Sequence, residues 1–137
     1  MAKTRINLKL LLDTNSLIWI LDDRDKDSFG KNALKKVAEA EVVYTSSISI
    51  LEIRIKTMLG KLHTGPDLLN DIEDTGIKIL SFTEFHADGL LNFPKLIRHD
   101  PFDRMLIAQA EAESLIFLTS DKLIIDLGLP FVIDARK

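Results

Sequence analysis

Two aspartates stand at the start of a predicted helix late in the chain. The segment 99–110 reads HDPFDRMLIAQA, and apolar or small residues recur along it at helical spacing. Asp100 precedes a proline, which the first helical turn tolerates, and an aspartate there is favoured by the helix dipole, so we interpret Asp100 as an N-cap. Asp103 follows one turn later on a helix with a core-facing stripe. Such a helix can hold a functional carboxylate rigidly.

Three further acids lie at or near the ends of predicted strands. Asp13 follows the apolar run 8–12, and Asp121 comes shortly after the run 115–119. Glu52 lies inside the helix that follows the second predicted strand. Ligands of open α/β sheets bind at the carboxyl ends of the strands, which makes these acids candidates for a site. For Asp13 by itself, an N-cap is an equally good explanation.

Periodicity alone predicts that Glu52 is exposed. It stands one helical turn before Lys56, the spacing of a common surface ion pair. The helix predicted over 48–59 has an apolar stripe that we expect to be buried. The stripe comprises Ile48, Leu51, Ile55 and Leu59.

The predicted elements alternate between strands and helices. Strands are predicted over 8–12, 41–46, 76–80, 115–119 and 131–133, and the main helices over 29–40, 48–59, 66–74, 83–91 and 101–113. This alternation predicts an α/β fold, a three-layer α/β/α sandwich with a mainly parallel central sheet, in one domain over 1–137. Right-handed crossovers bring the strand-to-helix turns to one edge of the sheet. For Asp103, which begins a helix leading into a strand, topology leaves the position open.

The composition excludes several classes of protein. The chain has no cysteine, so it has neither disulfides nor thiolate metal sites, and we expect a cytoplasmic protein. Its apolar runs are too short to span a membrane. A net charge of −3 argues against a broad basic surface for nucleic acid. It is compatible with a local acidic cluster that attracts phosphate once cations are bound.

Gathered carboxylates repel one another unless cations neutralise them. Oxygen ligands suit Mg²⁺ or Mn²⁺, which serve phosphoryl chemistry by activating a water and stabilising developing charge. The sequence has no glycine-rich phosphate loop, no HExxH helix and no GxSxG elbow. Its three histidines, His63, His86 and His99, are scattered, and we interpret each as a surface or capping residue.

Four sequence blocks resemble the successive motifs of a PIN domain, and more narrowly those of the VapC toxins of toxin–antitoxin pairs. The blocks are LLDTN at 11–15, SIS and LEI within 47–53, DPFDR and LIAQA within 100–110, and LTSD at 118–121. They follow in the family's order and cover nearly the whole chain. Two departures are that His99 directly precedes Asp100, where one intervening residue is expected, and that Asp100 is an additional acid of open role.

The resemblance implies a metal-dependent endoribonuclease that cleaves tRNA or another structured RNA. The catalytic and metal-binding residues would be Asp13, Glu52, Asp103 and Asp121, holding Mg²⁺ or Mn²⁺. The residues that orient carboxylates or a water would be Thr14, Asn15 and Thr119, while Arg104 would meet a substrate phosphate. The family also implies a homodimer and a cognate antitoxin that occupies the cleft.

Two other functions are compatible with aspartates at strand ends. A Mg²⁺-dependent phosphatase or phosphoacceptor domain is disfavoured because Asn15, not a second aspartate, follows two positions after Asp13, and no lysine follows a late strand as required. A non-catalytic partner-binding module on the same fold is disfavoured because all four acids are intact.

Overall fold

The computed structural model describes residues 6–22 and 27–137, which form one parallel sheet flanked by helices. The strands are β1 (Ile6–Leu12), β2 (Ala40–Ser46), β3 (Lys78–Leu80), β4 (Ile116–Thr119) and β5 (Val132–Asp134). The helices are α1 (Thr14–Leu21), α2 (Lys31–Glu39), α3 (Ser47–Met58), α4 (Leu68–Asp74), α5 (Glu84–Asp88), α6 (Pro101–Ala112) and α7 (Lys122–Ile125). The strand order is β3, β2, β1, β4, β5, with every pairing parallel. The predicted α/β sandwich is confirmed.

Two cores form because successive residues of a strand face opposite sides of the sheet. Leu11 of β1 packs with α6 and α7 in one core, and Leu12 packs with α1, α2 and α4 in the other. Helix α3 contributes Ile48 to the first core and Ile53 to the second. It therefore begins at the carboxyl end of β2 between the two layers. Within the described ranges, no helix has the length and apolar character needed to cross a membrane.

Several elements are shorter than predicted. The helix predicted over 29–40 begins at Lys31, because the Gly30 N–H donates to the Ala135 carbonyl and a Cβ at Gly30 would clash with the backbone of Lys137. The strand predicted over 76–80 begins two residues late, after Gly76 makes a turn with φ of +83°. The helix predicted over 83–91 ends at Asp88 and continues as a 3₁₀ turn.

The apolar stripe predicted to be buried on α3 is largely exposed. Leu51 is 50% exposed, Leu59 64% and Ile55 38%, so this prediction was wrong for three of its four residues. The buried face of α3 is instead formed by Ile48, Ser49, Glu52 and Ile53. The apolar spacing predicted the position of the helix correctly but predicted the wrong buried face, because the face that adjoins the sheet edge includes the polar residues Ser49 and Glu52.

Helix α6 begins at the carboxyl edge of the sheet. It ends at Ala112, four residues before β4 starts, and the Leu115 N–H donates to the Ala110 carbonyl in the tight turn between them. The helix therefore runs antiparallel to the strands, and its N-terminal turn lies beside the carboxyl ends of β1 and β4. This answers the topological question that the sequence left open for Asp103.

A buried glutamine attaches α6 to the end of β3. The Gln109 Nε2 group donates to the carbonyls of Leu80 and Ser81, both at 3.3 Å, and the side chain is fully buried. Leu80 is the last residue of the edge strand β3, and Ser81 comes directly after it. Gln109 thereby helps to fix how α6 lies across the sheet and where its N-terminus ends.

We expect Gln109→Leu to lower the free energy of unfolding by about 1–2 kcal/mol, because two partly buried carbonyls lose their donor. Urea unfolding followed by circular dichroism measures this. The matched control is Asn92→Leu, which removes an exposed hydrogen bond to Glu111 and should cost less than about 0.5 kcal/mol, since water replaces the partner. Equal effects of the two substitutions would contradict the proposed attachment.

Candidate metal centre

Asp13 is buried at the carboxyl end of β1, and both of its carboxylate oxygens accept hydrogen bonds. Oδ1 accepts from the Ser16 N–H at 2.7 Å, which caps α1. Oδ2 accepts from the Thr119 hydroxyl at 2.9 Å and the Ser120 N–H at 3.0 Å. Burial raises the pKa of Asp13, while the hydrogen bonds from Ser16, Ser120 and Thr119 oppose that rise. Asp13 is therefore both an N-cap and a fixed carboxylate at the sheet edge.

Asp121 caps α7 and contacts a histidine. Its Oδ1 accepts from the Ile124 N–H at 3.0 Å, and its Oδ2 lies 2.8 Å from His99 Nε2. Burial would raise the pKa of Asp121, but the hydrogen bonds from Ile124 and His99 and the charge of His99 hold it below its usual value. The Asp121 N–H donates to Thr119 Oγ1, so the Thr119 hydroxyl connects Asp121 to Asp13.

Asp103 lies in the first turn of α6, among other acids. Its Oδ2 is 3.7 Å from His99 Nε2, and one ligand atom from each of His99, Asp103 and Asp121 fits within 4.8 Å. Burial and the negative charges of Asp121, Asp100, Asp13 and Glu52 raise the pKa of Asp103 to about 8. Burial is the largest of these causes, and the four neighbouring negative charges add to it, so the ionised form of Asp103 is disfavoured in the absence of a cation.

Glu52 is only 6% exposed, so the exposed position that periodicity predicted was wrong. The ion pair predicted by its spacing does form, with Lys56 Nζ 2.7 Å from Oε2. The other oxygen, Oε1, is buried without a hydrogen-bond partner. An unpartnered buried carboxylate oxygen is unfavourable, and the charge of Glu52 also acts on Asp103, so a cation bound between them would stabilise both.

Two other residues singled out in the sequence, Asp100 and Thr14, make hydrogen bonds close to the acids. Asp100 caps α6, since its Oδ1 accepts from the N–H groups of Phe102 at 2.8 Å and Asp103 at 3.3 Å. Its charge also adds to that around Asp103. Thr14 donates to Ser49 Oγ at 3.0 Å and joins α1 to α3.

Asn15 and Arg104 each make one hydrogen bond to a segment that adjoins the acids. Asn15 Nδ2 donates to Ser120 Oγ at 3.4 Å and so reaches the loop that binds Asp13. Arg104 Nη1 donates to the Ile97 carbonyl at 3.1 Å, while its Nε is buried without a partner. In this conformation the Arg104 guanidinium holds the loop before α6.

Sequence reasoning missed His99 and Ser120. The interpretation of His99 as a surface or capping residue was wrong, because its side chain is 19% exposed and contacts Asp121 and Asp103. Its four-residue separation from Asp103 was the available signal, but Pro101 between them obscured it. The role of Ser120 depends on its backbone N–H, which no side-chain motif reports.

The chemistry of this cluster fits a hard divalent cation. Carboxylate oxygens from four chain segments converge at one edge, and the ion pairs that reach them from the described residues come from Lys56 and His99. The side chains of Asp103 and Asp121 are 23% and 20% exposed, which leaves the site open to solvent. Mg²⁺ or Mn²⁺ prefers such a set of oxygen ligands with remaining water.

The fold and this cluster define a parallel α/β domain with an acidic site at the carboxyl edge of its sheet. The family model of the PIN domain matches residues 10–128, which include all four acids, and the chain belongs to this family. The family resemblance of the sequence blocks is thus confirmed. No curated protein sequence matches the chain.

Solved toxin structures share the fold. VapBC-1 from nontypeable Haemophilus influenzae has a TM-score of 0.65 and 17% identity, with 95% of this chain and 100% of that chain covered. A toxin–antitoxin complex from Klebsiella pneumoniae has a TM-score of 0.62 and 17% identity, covering 92% and 97%. VapC20 from Mycobacterium tuberculosis, a sarcin–ricin loop cleaving toxin, has a TM-score of 0.56 and 19% identity, covering 91% and 99%.

We expect Asp103→Asn to stabilise the metal-free protein increasingly as the pH rises. The folded pKa of Asp103, about 8, exceeds its ordinary value of 3.8, so the folded state binds more protons between these values. The free energy of unfolding contributed by Asp103 therefore falls as the pH rises through that window. In EDTA, the variant's Tm should exceed that of the wild type by about 3–6 °C near pH 8. The gap should shrink toward pH 5, and a gap independent of pH would contradict the assignment.

Thr119→Val should destabilise the domain by about 1–3 kcal/mol, because it removes the hydroxyl between Asp13 and the Asp121 N–H without changing the side-chain shape. Thr119→Ser keeps both hydrogen bonds and is the matched control. Urea unfolding of the two variants measures the difference. A loss in Thr119→Ser that equals or exceeds the loss in Thr119→Val would contradict this, because Ser keeps the hydroxyl and lacks only the methyl group.

Proposed function

We propose that this PIN domain is a metal-dependent endoribonuclease, the toxin of a VapC-type toxin–antitoxin pair. The observation that carries the proposal is geometric: one ligand atom from each of His99, Asp103 and Asp121 lies within 4.8 Å of the others, and the charges of Asp13 and Glu52 also act on Asp103. Uncompensated negative charge at a solvent-open site is the arrangement that a catalytic divalent cation requires. The shared fold of VapC toxins supports this reading.

Asp13, Asp103 and Asp121 would hold Mg²⁺ or Mn²⁺, with Glu52 completing the ligand set directly or through water. When bound, the cation activates a water and offsets negative charge that develops on a backbone phosphate of the RNA. The carboxylates fit this role, because three of the four lie on rigid supports at helix N-termini.

The surrounding residues keep the acids in position. Thr119 holds one oxygen of Asp13 and the backbone of Asp121 at once, so these two carboxylates keep a fixed separation. Lys56 neutralises one oxygen of Glu52 and leaves the other available. Arg104 would contact a substrate phosphate. Only its hydrogen bond from Nη1 to the Ile97 carbonyl would have to break, because Nε has no hydrogen-bond partner in the structure.

We propose structured RNA as the substrate, in the cytoplasm, and a cognate antitoxin and a second copy of the chain as partners. The related VapC20 is described as cleaving the sarcin–ricin loop, an RNA element, and the Klebsiella protein was solved as a toxin–antitoxin complex. A row of exposed apolar residues along α3 supports the proposal of protein partners, because contiguous apolar surface is unfavourable in water and is typical of protein–protein interfaces. They are Leu51, Ile55, Met58 and Leu59.

The test is cleavage of a structured RNA pool that includes tRNA by the purified chain without antitoxin. Cleavage is expected with Mg²⁺ or Mn²⁺, and we expect Asp103→Asn to reduce it by at least about 10³-fold, since a charged metal ligand is lost. EDTA should abolish the activity. Asp126→Asn, which alters an exposed carboxylate at the C-terminal end of α7, is the matched control and should retain it.

Two results would contradict the proposal. One is cleavage that persists in EDTA or in Asp103→Asn, which would assign the activity to another site or a contaminant. The other is a folded chain that neither cleaves any RNA in the pool nor binds Mn²⁺ in a direct titration, as expected of a non-catalytic binding module.

A further inference from the structure

We propose that His99 Nε2 is a nitrogen ligand of the bound cation, and that it makes the site prefer Mn²⁺ over Mg²⁺. The inference rests on the proposed function and deepens it, because it identifies the metal that the acidic site selects. It assigns a role to a residue that the four acidic sequence blocks do not include.

The distances around His99 suit a shared ion. Nε2 lies 2.8 Å from Asp121 Oδ2 and 3.7 Å from Asp103 Oδ2. Two atoms that each lie about 2.1 Å from one octahedral ion are about 3 Å apart when adjacent and about 4.2 Å when opposite. The 2.8 Å separation is close to the shorter of these values, and the 3.7 Å separation lies between the two. The imidazole would therefore need only a small movement to share one ion with both aspartates.

The position of His99 is held by the chain on both sides. The His99 N–H donates to the Leu96 carbonyl at 2.9 Å, and Leu96 is fully buried in the core beneath α6. On the other side, Asp100 caps α6 and fixes the start of that helix. The backbone that carries His99 is thus anchored, as a ligand position requires.

An imidazole ligand changes which metals the site favours. Mg²⁺ prefers oxygen ligands and loses water reluctantly. Mn²⁺ also binds mainly oxygen and stands at the weak end of the divalent transition-metal series, but it accepts an imidazole nitrogen more readily than Mg²⁺ does. His99 would bind as the neutral imidazole with its proton on Nδ1. In the absence of metal, Nε2 carries a proton and donates it in a hydrogen bond to Asp121. Binding of the cation at Nε2 would release that proton to solvent, while Nδ1 carries the remaining one.

The decisive experiment is pulsed electron paramagnetic resonance of Mn²⁺ bound to the full chain, prepared with either natural or ¹⁵N-labelled histidine. We expect the coupling of a directly bound nitrogen, which changes from the ¹⁴N to the ¹⁵N pattern on labelling. His99→Gln, which can still donate to Asp121, should abolish the labelled signal. His63→Gln alters an exposed histidine in a loop and should keep it.

Titrations with each metal alone separate binding from positioning. Because imidazole favours Mn²⁺, we expect His99→Gln to weaken Mn²⁺ binding by about tenfold or more and Mg²⁺ binding by less than about threefold. Equal weakening of both metals would overturn the inference, since it is the result of a histidine that only orients Asp121.

The spectroscopic outcomes distinguish this inference from the proposed function. Bound Mn²⁺ without a histidine nitrogen coupling would overturn the role of His99 while leaving an oxygen-ligated nuclease site intact. Failure of the wild-type chain to bind Mn²⁺ or Mg²⁺ would overturn both. Mn²⁺ binding that is lost in Asp103→Asn, together with the labelled coupling in the wild type, would support both.

Discussion

Mutual repulsion among carboxylates is the physical constraint on which this structure depends. Asp13, Glu52, Asp103 and Asp121 come from four separate segments, and the fold brings them to one edge of a parallel sheet. Burial, together with the negative charges of the neighbouring acids, raises the pKa of Asp103 to about 8 in the absence of a cation. The rest of the domain must hold the acids together against that repulsion.

Helix N-termini supply much of the compensation. Asp13, Asp100 and Asp121 each cap a helix through backbone N–H groups, and Asp103 lies in the first turn of α6. A helix N-terminus carries partial positive charge, which favours a carboxylate placed there. The same contacts that make these aspartates caps therefore make the site possible. An aspartate can therefore cap a helix and belong to the acidic site at the same time.

Much of the fold could be predicted from the sequence, because it depends on local patterns. Buried parallel strands appear as short apolar runs such as 8–12, and each is followed by a residue that can cap the next helix. The strand ends then identify Asp13 and Asp121 as neighbours. The sequence left the position of Asp103 open, because this residue begins a helix that leads into a strand. In the structure it reaches the same edge because α6 runs antiparallel to β4.

The remaining features depend on tertiary contacts that periodicity does not report. Glu52 is buried and Leu51 exposed because α3 turns a polar face toward the sheet edge, the reverse of what hydrophobicity predicts. His99 reaches Asp121 across 22 residues of sequence, and Ser120 acts through its backbone. Local conflict between pattern and structure is concentrated at the acidic site, as expected where residues are retained for chemistry and not for stability.

The most direct test of the central claim is the titration of the Asp103 carboxyl carbon by ¹³C nuclear magnetic resonance, with Asp103→Asn used to assign the signal. If a cation relieves the repulsion, the midpoint should lie near pH 8 in EDTA. With saturating Mg²⁺, which is diamagnetic, it should fall below about pH 5, because the ion favours the charged carboxylate. A midpoint that stays near pH 8 with Mg²⁺, or that lies near 4 without it, would contradict the account.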